Sequence, residues 1–358
     1  MGARRGCRDQ RKREYSQSHF HKWPVLYQSY PSVQVRDKFR GLSALAASIL
    51  TGDPRAIARG ISLVENETED GPALVRELFE RSGRAFLVGV TGAPGAGKST
   101  LVDGIVMRWR KAGRTVGVLA VDPTSPFSGG AMLGDRVRMQ AHAQDVGVFI
   151  RSMATRGHLG GLARATTDAA LVLDASGKDF VAIETVGVGQ DEVEIARTAD
   201  VSVVVLVPGM GDEVQALKAG VMEIADIFVV NKADRDGADR AVAEIESVLG
   251  LNTYPDGQWR PPIVRTEATT GRGLDELVDA MTRFSKQSST IDVRRRGRAR
   301  TQLRAVLAAR LMQQIESRVS AFDMDTLVDR IAARTIDPYT AADQVLGVGG
   351  LKEPGSQS

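Results

Sequence analysis

The chain has 358 residues, 42% of them hydrophobic and 25% charged, with a formal net charge of +3. That length can bury one large α/β core with appendages, and so mild a positive charge does not argue for nucleic-acid binding. A lone cysteine, Cys7, excludes an internal disulfide framework, and no apolar run approaches the roughly 20 residues of a membrane span.

Residues 1–40 are arginine-rich and acid-poor without sustained periodicity, and read as a disordered basic tail. The composition suits a cytoplasmic protein. The tail also resembles a transit peptide, which leaves the mitochondrial matrix as the alternative. Residues 41–80 show helical spacing at Leu42, Leu45 and Ile49 and again at Ile57, Ile61 and Val64, with Asp53-Pro54 as a cap and first turn. They form an N-terminal helical extension. From 81 to 285 apolar strand-like runs alternate with helical segments, the pattern of a mostly parallel sheet flanked by helices.

The first run, Phe86–Val90, leads into Gly92-Ala93-Pro94-Gly95-Ala96-Gly97-Lys98-Ser99-Thr100, a full GxxxxGK[ST] match. Leu101, Ile105, Val106 and Trp109 follow at helical spacing, so the motif sits in the strand–loop–helix context of a P-loop. Its glycines let backbone N–H groups curl around phosphate oxygens, and the helix N-terminus favours the negative charge. Lys98 can reach the β- and γ-phosphates, and the Ser99 hydroxyl can bind Mg²⁺.

The second run, Val116–Val121, delivers Asp122 at its carboxyl end, where ligands sit in open α/β sheets. Gly129–Arg136 has the composition of a movable switch segment, with Asp135 as a candidate metal or water ligand. The run Phe180–Ile183 ends in Glu184, placed to hold Mg²⁺ or its waters, and Gly187 can present its N–H to a γ-phosphate. Val201–Val207 is short enough to be a core strand. Ile227–Val230 ends in Asn231-Lys232-Ala233-Asp234, the NKxD pattern. There Asp234 can accept from guanine N1–H and the 2-amino group, Lys232 would lie along the base, and Asn231 would tie this loop to the P-loop. Adenine offers neither donor, so the triphosphate is GTP.

After a polar linker at Ser285–Thr290, residues 286–358 form a C-terminal helical region with a flexible end. Arg294–Arg300 reads as a solvated face, with an acidic partner contact as the sharper alternative. Leu303, Leu307, Leu311 and Ile315 recur every four residues, and an apolar stripe of that kind must bury itself against the core or a second copy. Asp337-Pro338 opens a last helix.

The blocks Ala120–Ser125, Gly129–Asp135, Glu184–Gln190 and Pro208–Gly220, the last running on into the NKAD motif, resemble the MeaB/ArgK family. These are the G-proteins associated with adenosylcobalamin-dependent acyl-CoA mutases, once labelled LAO/AO transport-system ATPases or kinases. The resemblance implies a P-loop NTPase of the SIMIBI class, homodimeric and Mg²⁺-dependent. Its implied role is that of a GTPase chaperone loading and protecting a mutase such as methylmalonyl-CoA mutase, with adenosylcobalamin present only through that partner. A kinase or ATPase linked to lysine-arginine-ornithine transport is the alternative.

Carried over by position, the Mg²⁺ and switch carboxylates fall on Asp122, Asp135 and Glu184, and the P-loop lysine on Lys98. A third switch region falls on Pro208–Gly220, with Asp212 and the basic Lys218, while Gln190 lies beside switch II. The base-contact loop is Glu267-Ala268-Thr269, where the family commonly has Ser-Ala; backbone contacts to guanine O6 survive that change and a serine hydroxyl contact does not. Nickel-delivering GTPases of the same class need Cys/His-rich ligand sets. Here His142 and His158 read as separate surface or switch residues.

Overall fold

The computed structural model describes residues 44–68, 70–122, 142, 144–154, 161–185, 198–209, 224–255, 258–318 and 321–348. Cys7, Asp135, His158, Gly187, Gln190, Asp212 and Lys218 lie outside the described residues, as does the side chain of Asp122. The chain divides into two compact units, Met1–Arg294 and Arg295–Ser358.

The first unit opens with α1 (Ala44–Leu50), α2 (Pro54–Glu65) and α3 (Asp70–Phe79). Asp53 starts α2 as its residues predict: its carboxylate accepts the Ala56 N–H at 2.7 Å, and Pro54, which has no N–H to orphan, fills the first turn. The buried stripe Ile57, Ile61 and Val64 then faces the core.

Seven strands follow: β1 (Phe86–Gly92), β2 (Val116–Asp122), β3 (Val148–Ala154), β4 (Phe180–Thr185), β5 (Val201–Leu206), β6 (Ile227–Asn231) and β7 (Ile263–Thr266). They form one parallel sheet in the order β3-β2-β4-β1-β5-β6-β7. Between them run α4 (Lys98–Lys111), α5 (Gly161–Ala175) and α6 (Ala238–Leu249), and α7 (Leu274–Phe284) follows β7.

A parallel sheet covered on both faces needs strands that are apolar on both sides, and β1, β4, β5 and β6 are buried throughout. Val88, Val90, Val203, Val205 and Val229 face α4 and α7, among Leu101, Ile105, Trp109, Leu277 and Phe284. Leu87, Leu119, Val121, Val181 and Ile183 face the other way, onto α1–α3 and α5. Trp109 stacks on Phe180 with ring centroids 4.3 Å apart. Among the described residues no helix is long and apolar enough to cross a membrane.

Buried aspartates secure the amino-terminal ends of the strands. Asp174, at the end of α5, accepts N–H groups of Gly83, Arg84 and Ala85 just before β1, and Asp200 accepts that of Leu87 at 3.1 Å. Asp226, just before β6, accepts the Ser202 N–H at 2.7 Å and both terminal nitrogens of Arg294 at 2.5 Å.

The start of the next helix corrects one expectation, and this last contact corrects another. Helix α8 (Ser288–Arg318) begins inside the expected linker, with Ser285 and Ile291 buried. Arg294 is no part of a solvated face, because an unpaired Asp226 carboxylate would otherwise be stranded in the core. Its guanidinium also lies over Phe284, 5.3 Å from the ring centroid. Burial pushes the Asp226 carboxyl above the usual carboxylate range, and Arg294 pulls it back. Arg294→Ala should therefore cost about 2–4 kcal/mol, somewhat less than a fully buried pair because the arginine keeps part of its solvent. Urea unfolding measures it. An unchanged midpoint would show that Asp226 does not depend on this partner, whereas recovery in the Arg294→Ala/Asp226→Asn double variant would identify the stranded charge as the cause.

In the second unit, α9 (Ala321–Ala332) and α10 (Pro338–Val348) follow α8. Asp337 caps α10 through the N–H groups of Tyr339 and Thr340, both at 3.0 Å, which repeats the Asp-Pro start of α2. On α8 the stripe residues Leu303, Leu307 and Leu311 remain 59%, 50% and 45% exposed.

Candidate nucleotide-binding site

The loop after β1 depends on two glycines in the left-handed range of φ. At Gly92 (φ 142°) a Cβ would sit 2.1 Å from the Val205 carbonyl oxygen on β5. At Gly97 (φ 88°) it would sit 2.5 Å from Asn231 Nδ2. Only a bare backbone at these points lets the loop curl tightly against the sheet.

The loop delivers α4 with Lys98 and Ser99 in its first turn, both buried. Lys98 Nζ donates to the carbonyls of Gly92 (2.5 Å) and Ala93 (3.0 Å), so the ammonium crowns the loop. Ser99 Oγ donates to Glu184 Oε1 at 2.6 Å. The register accounts for the meeting: β4 lies beside β1, with Val90 opposite Glu184, so both strands release their last residues at one edge. Next to this pair the Thr185 hydroxyl donates to Thr91 Oγ1 at 3.1 Å. The backbone of Asp122 ends β2 opposite Ala154, one strand beyond β4.

A hydroxyl and a carboxylate make an all-oxygen donor pair, beside a loop shaped for phosphate. Mg²⁺ takes such pairs, completing its shell with water and phosphate oxygens. The donors in place fit that ion, and Ser99 and Glu184 would be the residues to hold it.

The second half of the site gathers at the ends of β6 and β7. Asn231 Nδ2 donates to the Ala96 carbonyl at 2.8 Å, while its Oδ1 accepts from Thr266 Oγ1 (3.0 Å) and the Ala268 N–H (3.1 Å). One buried amide thus joins the P-loop, β6 and the loop after β7. Lys232 takes φ 56°, which turns the chain sharply out of the strand, and its Nζ donates to the Gly95 carbonyl at 2.8 Å. Asp234 stands exposed beyond it. In the Glu267–Gly271 turn the Ala268 N–H is engaged by Asn231, while Thr270 and Gly271 N–H both close onto the Glu267 carbonyl.

The structure thus brings Lys98, Ser99 and Glu184 together at the ends of β1 and β4, and Asn231, Lys232, Asp234 and the Glu267–Thr269 segment at the ends of β6 and β7, across β5. Two contacts on α4 escape the sequence motifs. His142 is not a surface residue: it is 6% exposed, with Nε2 2.9 Å from Asp103 Oδ1. A pairing between two singletons so far apart in the chain leaves no local pattern. Arg108 bonds the Gly271 carbonyl, and is hidden from the sequence for the same reason.

The family described as Methylmalonyl Co-A mutase-associated GTPase MeaB matches residues 57–321. The chain belongs to this family. It is 50% identical over 300 residues to a putative GTPase of Pyrococcus abyssi, covering 82% of this chain and 93% of the relative. It is also 33% identical over 328 residues to the mouse protein named methylmalonic aciduria type A homolog, mitochondrial, covering 86% and 79%. Among solved structures, one described as LAO/AO transport system kinase superposes with a TM-score of 0.62 at 27% identity, over 85% of this chain and 95% of its own. The P-loop NTPase fold follows, and with it the activity: like the MeaB family, this protein is a GTPase.

Proposed function

We propose that this MeaB-family GTPase is Mg²⁺-dependent and serves as a chaperone to an adenosylcobalamin-dependent acyl-CoA mutase, with methylmalonyl-CoA mutase as first candidate. In this reading GTP binding and hydrolysis govern cofactor loading and protection of the mutase. The observation that carries the nucleotide chemistry is the Ser99–Glu184 pair beside Lys98, joined by Asn231 to the NKAD loop. The family description, which names a mutase, supports the partner.

In the site, Lys98 neutralises the β- and γ-phosphates. Ser99 and Glu184, with Asp122 and Asp135, serve the Mg²⁺ that offsets charge on the transferred group. Gly187 holds the γ-phosphate through its N–H. Asn231, Lys232 and Asp234 select guanine. Gln190, Asp212 and Lys218 lie on the segments that report nucleotide state to the partner. The half-exposed leucine stripe of α8 supports a homodimer, since a second copy would cover it.

Turnover of GTP, measured with and without the candidate mutase, tests the partner. Stimulation of several-fold is expected, and identical rates at saturating mutase would remove the chaperone role. The transport-kinase reading, which the description of the solved neighbour suggests, makes a different product. Thin-layer separation after labelling the γ-phosphate should give free phosphate; label retained on protein would favour the kinase.

A further inference from the structure

Helix α4 leaves the P-loop and, on its third turn, presents Arg108, which the phosphate chemistry does not use. Its guanidinium reaches three acceptors: Nη2 donates to the Gly271 carbonyl at 2.7 Å, Nε to Asp275 Oδ1 at 2.6 Å, and Nη1 to the Gly104 carbonyl of its own helix at 3.2 Å. Gly271 closes the turn that begins at Glu267, and the Glu267 N–H returns to the Arg272 carbonyl at 3.0 Å. The same turn is held at its other end by Asn231, through the Ala268 N–H. It therefore hangs between two clamps, one rooted in β6 and one in the P-loop helix.

The distribution of N–H groups gives the clamps a purpose. Those of Glu267, Ala268, Thr270 and Gly271 are engaged within the protein, which leaves the Thr269 N–H as the one in the turn without an acceptor among the described residues. The Arg108–Asp275 ion pair does not by itself account for the arginine. Asp275 is 82% exposed, and ion pairs with so solvated a partner add little to stability. The carbonyl of Gly271 is the contact that matters.

We propose that Arg108 is a positioning residue for base selection: by holding the Gly271 carbonyl it fixes the turn so that the Thr269 N–H meets guanine O6. This rests on the reading of the site as a guanine site, and the test separates the two. Dissociation constants are measured for GTP, 6-thio-GTP and ITP with the wild type, Arg108→Ala and Asp275→Ala. Sulfur in place of O6 is the weaker acceptor, whereas ITP keeps O6 and lacks only the 2-amino group read by Asp234.

Wild type should prefer GTP to 6-thio-GTP by about 5–10-fold, the weight of one hydrogen bond. In Arg108→Ala that preference should fall to within about 2-fold while the GTP/ITP ratio stays as in wild type, because Asp234 is untouched. Asp275→Ala should behave as wild type. Should Arg108→Ala prove too unstable to measure, Arg108→Lys carries the same test, since one ammonium cannot bridge acceptors that the guanidinium meets with three nitrogens. A folded Arg108 variant with the full GTP/6-thio-GTP preference overturns the proposal. A wild type without that preference overturns the O6 contact itself, and the proposal with it.

Discussion

Lys98→Ala is expected to lower GTP turnover by at least about 100-fold, the usual scale for losing one preorganised charged donor at a reacting phosphate. Its ammonium rests on the Gly92 and Ala93 carbonyls of the loop. A phosphate entering the loop therefore meets a cation already aimed at it. The effect should be specific to the liganded state. Removing a buried ammonium need not weaken the free protein, since burial of that charge is itself unfavourable. Thermal melts should accordingly show a free variant close to wild type, together with loss of the stabilisation that GTP normally confers. Turnover within a few-fold of wild type would remove Lys98 from the phosphate site.

The second large effect is on base choice. Asp234→Asn should move the preference from GTP toward XTP by about a thousandfold or more, because a site built on polar pairing penalises an unmatched donor or acceptor heavily. A carboxylate accepts from N1–H and from the 2-amino group of guanine. An asparagine amide donates to the O2 of xanthine and repels the 2-amino group through its own N–H. The frame carrying Asp234 should survive the change, since Asn231 and Lys232 bond the P-loop through their own side chains. Competition of GTP and XTP for the variant and the wild type decides the matter; an unchanged ratio places the base elsewhere.

The interior strands were legible because they are buried on both faces. An unbroken apolar run as short as Phe86–Val90 or Ile227–Val230, set between helical segments, has the length and the composition of a covered parallel strand. The two phosphate and base motifs were legible for a different reason: backbone curvature and fixed donor geometry force particular residues at fixed spacing. The strand β3 was not legible. It lies at the sheet edge with Phe149, Ile150 and Arg151 only partly buried, and Arg151 reaches back to Glu65 of α2 at 2.7 Å, so its hydrophobic pattern is diluted. The clamps were equally hidden. Arg108 and Arg294 each bond a partner distant in sequence, His142 lies against another, and nothing at either end announces the other. An arginine-rich run looks solvated until the fold sets one of its members against a buried aspartate.

The position of β1 bears on how the protein is made. This strand, which carries the phosphate loop, sits at the centre of the sheet, yet it pairs with β4 and β5, in which Phe180 opposes Phe86 and Val201 opposes Val88. A ribosome releases the chain from its amino end. One edge of this buried strand therefore stays open until the nascent chain has emerged through Glu184, and the other until it has emerged through Val205. Such edges invite pairing with the wrong neighbour. Helices α1–α3 emerge first and supply much of the apolar layer that later meets Leu87. They give the waiting strand a surface to lie on, so removing them should reduce soluble yield during synthesis more than it reduces the stability of protein already folded.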